Sequence, residues 1–133
     1  MTELETAVRS GAVVVRAGKG QTLRWGMGGK VRIVAGASST DRSFSVVEVT
    51  DAPGAGAPLH VHHGEAEGFY LLEGSIELTC GTEKVVVDAG DFVCAPKDVA
   101  HKYVVAGDRP ARILLMFSRP GFERFFVEGW RSA

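Results

Sequence analysis

An all-β sandwich or barrel with one short helix at its C-terminal end is the fold class this sequence predicts. Three observations point to it. Seventeen glycines in 133 residues break the apolar residues into short runs. Those runs are of strand length, and turn-forming pairs separate nearly all of them. Only the segment beginning Pro120-Gly121-Phe122 carries apolar residues at helical spacing.

In chain order, strands are expected at Ala12–Arg16, Val31–Ala35, Phe44–Thr50, His60–His62, Phe69–Glu73, Ile76–Thr79, Lys84–Val87, Phe92–Ala95, His101–Val105 and Ala111–Phe117. The turns between them fall at Gly28-Gly29, Pro53-Gly54, Glu73-Gly74, Cys80-Gly81, Ala89-Gly90-Asp91 and Gly107-Asp108. Many short strands at this cadence close or double their sheets, which leaves few exposed edges. In the tail, Phe122, Phe125 and Phe126 fall at i, i+3 and i+4 between Pro120 and Gly129. That spacing predicts a helix that plugs the barrel mouth or packs on its outside.

A length of 133 residues suits one domain with one core, spanning 1–133. With 15 basic and 16 acidic residues, the net charge of −1 provides no field for nucleic acid or an anionic membrane surface. No apolar stretch is long enough to span a bilayer. The N-terminus lacks the charged start and unbroken apolar run of a signal peptide, so a cytoplasmic location is expected. There Cys80 and Cys94 stay reduced, and both are expected to be small buried packing residues.

Chemistry concentrates in two segments. The first holds His60, His62 and Glu67; the second holds His101. Strand side chains alternate faces, so His60 and His62 point one way, and Leu59, Val61 and His63 the other. Glu67 is five positions beyond His62, the wrong parity for one continuous strand, and a turn or bulge near Gly64 must reset the register. Past Glu67, parity places Phe69 and Leu71 on the ligand face and Tyr70 and Leu72 opposite. His101 shares its face with Tyr103 and Val105. His63 and Glu65 are assigned to solvent. Three imidazoles and a carboxylate suit one divalent transition metal (iron, manganese, nickel, copper or zinc) and leave coordination positions open, as in a catalytic site.

The same residues resemble the two motifs of the cupin superfamily. Gly54, His60, His62, Glu67 and Gly74 match every position of its first motif. Gly90, Pro96 and His101 match its second, while Asp98 replaces a glycine and Val105 an asparagine. Asp tolerates left-handed backbone better than most residues, so Asp98 can hold that turn. The motifs cover 54–74 and 90–105, and the chain looks like the small single-domain, quercetinase-like cupins.

The resemblance implies a double-stranded β-helix (a jelly-roll barrel) of six or eight core strands with extra N-terminal strands, commonly a homodimer. It implies His60, His62, Glu67 and His101 as metal ligands. It raises the expectation of a metal-dependent dioxygenase acting on a small enolic or aromatic substrate. In that reading Glu67 and Tyr103 move protons, and Phe69, Leu71, Cys94 and Val105 line the substrate pocket. Metal-assisted cyclisation, isomerisation or decarboxylation without oxygen, and a non-catalytic metal- or ligand-binding module, are the alternatives.

Overall fold

The computed structural model describes residues 6–7, 11–25 and 29–121, and every regular element among them is a strand. The predicted helix lies outside the described residues beyond Gly121. Two short strands, β1 (Thr6–Ala7) and β2 (Val13–Val14), pair with each other. Then follow β3 (Thr22–Trp25), β4 (Gly29–Ala35), β5 (Ser45–Asp51), β6 (Gly56–His60), β7 (Glu67–Glu73) and β8 (Ser75–Cys80). The series ends with β9 (Glu83–Asp88), β10 (Phe92–Ala95), β11 (His101–Ala106) and β12 (Ala111–Phe117).

Two antiparallel sheets result. One has the order β10-β7-β12-β5-β4-β3, the other β6-β11-β8-β9. Strands adjacent in sequence are therefore often apart in space, as in a jelly roll. Alternation along β5 and β12 is strict, with every second residue buried from end to end. The inward set includes Val31, Val47, Phe69, Leu71, Ile76, Leu78, Ile113 and Phe117, all essentially without solvent contact. Burying such a side chain contributes roughly 1.5–3 kcal/mol. This apolar filling between the sheets is the platform on which the polar residues of one end are fixed.

Two expectations are corrected, and one edge strand is added. The strand placed at His60–His62 runs instead from Gly56 to His60, because its partner is β11 and the ladder ends where His60 meets His101. Beyond it the chain turns away, and the His62 carbonyl accepts the Asp98 N–H at 2.7 Å. The strand β3 was not foreseen. It is a sheet edge whose Leu23 packs against the core between the exposed Thr22 and Arg24, too short a run to mark a strand by alternation.

Cys94, expected to be buried and to line the substrate pocket, is exposed. It pairs with Gly68 while Ala95 pairs with Glu67, so it faces the opposite side of the sheet from the ligand. There it borders an open outer groove of about 340 Å³ with Phe44, Val46, Phe92 and Met116.

Candidate metal centre

One transverse row of the larger sheet begins the site. Ser45, Phe117, Glu67 and Ala95 are successive cross-strand partners on β5, β12, β7 and β10. All four face inward and are buried. In the smaller sheet His60 and His101 are direct partners, their ring centroids 4.4 Å apart. His62, on the connection between β6 and β7, closes the gap between the sheets. The bend at 63–64 then supplies the register reset that parity demanded before Glu67.

The four side chains converge. One donor atom from each of His60, His62, Glu67 and His101 lies within 4.8 Å of all the others. Glu67 Oε1 stands 2.9 Å from His101 Nε2, 3.0 Å from His62 Nε2 and 3.7 Å from His60 Nε2. Ligands at bonds of about 2.0–2.2 Å around one ion stand roughly 3–4.4 Å apart, so the spacing fits a metal with little movement.

The far side of each ring makes the fit specific. His60 Nδ1 is 2.7 Å from the Pro58 carbonyl, His101 Nδ1 3.1 Å from the Val99 carbonyl, and His62 Nδ1 3.0 Å from Glu65 Oε1. Carbonyl and carboxylate oxygens only accept, so all three Nδ1 atoms donate and carry the proton. In the neutral imidazoles every Nε2 then aims a lone pair at Glu67. Lone pairs facing a carboxylate repel unless a cation or protons lie between, and this is the arrangement of histidines oriented for a metal.

The charges respond as expected. Burial opposes ionisation of Glu67, but where protons rather than a metal lie between the Nε2 atoms and the carboxylate, the resulting hydrogen bonds from His101, His60 and His62 together outweigh burial and hold the carboxyl far below its usual range. For His60, burial disfavours the imidazolium, yet Glu67 and the Pro58 carbonyl win and raise its pKa above the ordinary value. Solvent reaches the cluster from the side of His60, whose side chain is 25% exposed while the other three are at 5% or less.

Of the remaining predicted residues, Phe69 stands edge-on to His101, centroids 6.0 Å apart, and forms a wall beside the cluster. Leu71 and Val105 lie deeper, inside the core. Tyr103 shares the His101 face, but its hydroxyl donates to Asp51 Oδ2 at 2.6 Å. Asp51 pairs with Ala111 at the opposite end of β12 from Phe117, the partner of Glu67. A buried phenol needs an acceptor, and this one found its acceptor away from the four ligands. The structure does not bring its hydroxyl to them.

Asp98 has φ 68°, the left-handed turn anticipated for it. His63 contacts the Asp98 carboxylate at the surface. Two polar residues escaped the sequence reading. Glu65, assigned to solvent, touches His62; the parity argument treated its loop as a strand. Ser45, in the row of Glu67, has a fully buried hydroxyl without a hydrogen-bond partner. No sequence pattern marks it.

Comparison with known proteins agrees with this geometry. Quercetin 2,3-dioxygenase of Bacillus subtilis is 32% identical over 97 residues, which are 72% of this chain and 28% of that protein. KdgF from Halomonas sp. superposes with a TM-score of 0.69 at 22% identity, covering 79% of this chain and 93% of that one. A mutant oxalate decarboxylase of Bacillus subtilis gives a TM-score of 0.64 at 27% identity, over 72% of this chain and 27% of the other. The chain thus spans about a quarter of the dioxygenase and of the decarboxylase. The family described as "Cupin domain" matches residues 47–117, just over half of the sequence and every residue of the cluster. The chain belongs to the cupin family.

Proposed function

We propose that the protein is a metal-dependent dioxygenase for a small enolic or aromatic substrate. The observation that carries this is the convergence of three Nδ1-protonated histidines and Glu67. The likeness to quercetin 2,3-dioxygenase supports the choice of reaction. A divalent transition metal held by His60, His62, Glu67 and His101 would supply Lewis acidity and, when redox-active, a route for electrons to dioxygen.

The chain's own groups do the rest. His60 marks the open side by which substrate approaches. Phe69 keeps water from the face of the cluster beside His101. Glu67 is the acceptor proposed for the substrate's hydroxyl proton, a transfer that an acidic enol or phenol permits although the carboxyl is held low. Tyr103 is assigned to support rather than proton transfer, since its proton is committed to Asp51. A homodimer in the cytoplasm, as a single domain over 1–133, completes the reading.

The test is anaerobic purification with metal analysis, followed by oxygen-electrode assays on flavonols, catechols and diketones. Substrate-dependent oxygen uptake is expected, with metal content falling sharply in His62→Ala and in His101→Ala. Unchanged metal in both variants would remove the basis of the proposal. The likeness to oxalate decarboxylase favours a second reading, decarboxylation at the same centre; turnover that needs no oxygen would select it.

A further inference from the structure

The three histidines differ on their far sides. His60 and His101 give their Nδ1 protons to backbone carbonyls two residues earlier, Pro58 and Val99. These acceptors are neutral and come with the backbone itself. His62 alone gives its proton to a side chain that carries a charge, at 3.0 Å. The pair is sheltered, with side-chain exposures of 3% for His62 and 18% for Glu65. In such surroundings a charge-assisted bond is stronger than a neutral one.

Glu65 is also held in place by its neighbours. On one side the Asp98 N–H binds the His62 carbonyl at 2.7 Å. On the other, the Ala66 N–H donates to Ser118 Oγ at 3.0 Å and the Ser118 N–H returns to the Ala66 carbonyl at 3.2 Å. The residue sits between two fixed points of a loop that both sheets anchor. A contact set in this way does not depend on a surface side chain finding its partner by chance.

We propose that Glu65 is a positioning residue of the metal centre, fixing the ring of His62 and making it a stronger donor than His60 or His101. The inference rests on the metal-centre reading and goes beyond it by naming a residue outside the four ligands. A carboxylate accepting from a ligand imidazole pushes electron density toward Nε2, and loss of such partners typically weakens metal binding about 10- to 100-fold. Glu65→Ala removes the acceptor and its charge. Glu65→Gln keeps an acceptor oxygen and removes only the charge.

Cobalt(II) alone serves as the probe, at fixed pH. Its affinity is measured by competition with a chelator, and the imidazole N–H signals of the loaded protein by paramagnetically shifted NMR. The expected order of affinity is wild type, then Glu65→Gln, then Glu65→Ala, the last weaker by about 10- to 100-fold. One shifted N–H signal of three should move or exchange faster in the variants, while the other two stay in place. Cobalt affinity within twofold of wild type in Glu65→Ala, with all three N–H signals unmoved, would overturn the inference and leave the metal centre standing. Wild-type protein that takes up no cobalt would overturn the metal-centre reading itself, and this inference with it.

Discussion

At the scale of single residues, the buried polar groups fall into two sets with opposite electrostatics. Glu67 is surrounded by nitrogen donors that hold it ionised despite its burial. Among the described residues Asp51 has one side-chain partner, Tyr103, and burial raises its pKa above 3.8 although the phenol's hydrogen bond pulls the other way. Burial, then Asp51, push the phenol well above its ordinary value. The sign for Asp51 follows. Its folded pKa exceeds the unfolded one, so the folded state binds the extra proton and stability falls as pH rises through that window. Asp51→Asn should therefore be at least as stable as wild type at pH 7, with the difference vanishing below about pH 4. Tyr103→Phe strands the carboxylate and should cost about 1–3 kcal/mol, more at pH 7 than at pH 4. Urea denaturation at the two pH values measures both. An Asp51→Asn protein that loses stability at pH 7 would contradict this account of the pair.

Elements bring these residues together, and here sequence periodicity was informative where ladders are regular. Alternation placed Phe69, Leu71, Tyr103 and Val105 on their correct faces: β11 alternates along its buried residues, and in β7 Phe69 and Leu71 are buried on either side of the exposed Tyr70. It misled in residues 61–66, where there is no strand and the period of two has no meaning. Glu65 was lost for that reason, since its contact with His62 belongs to a turn. Ser45 was hidden differently: its partner Phe117 lies 72 positions away in sequence, and only the strand order brings it into the row of Glu67. Two local features of the framework give predictions.

Asp98 sits at φ 68°, which costs a side-chain-bearing residue about 1–2 kcal/mol relative to glycine. Asp98→Ala should be destabilised by about 1 kcal/mol, while Asp98→Gly should match wild type because relief of strain offsets the lost His63 contact. Chemical denaturation ranks the two, and the reverse order would mean that the side chain rather than the backbone matters. Gly56 faces the Tyr103 carbonyl so closely that a Cβ there would overlap it. Gly56→Ala should force β6 off β11, costing about 1–3 kcal/mol. It should also weaken metal uptake, because His60 ends the displaced strand. Normal stability with normal metal content would show that the strand pair can absorb a methyl group.

For the whole molecule, the ligands are distributed so that a metal would join the two sheets. His60 and His101 belong to the smaller sheet, Glu67 to the larger, and His62 to the connection between them. An ion bound to the folded state and not to the unfolded chain stabilises by mass action, about 4 kcal/mol at a thousand times the dissociation constant. For a chain of this size that is a rise in Tm of roughly 10–20 °C.

The pH dependence separates a metal from a proton at the same place. Without metal, His60 has a raised pKa, so its contact with Glu67 contributes stability below the unfolded value of about 6.5 and loses it as pH rises through the folded value. The metal requires the neutral ring and displaces that proton. Its stabilisation should therefore be larger at pH 8 than at pH 6. Scanning calorimetry with and without zinc at both pH values tests this, with His101→Ala as the control expected to show little shift. A zinc-induced shift that is equal at the two pH values, or undiminished in His101→Ala, would mean that the ion stabilises the protein from somewhere other than the junction of the two sheets.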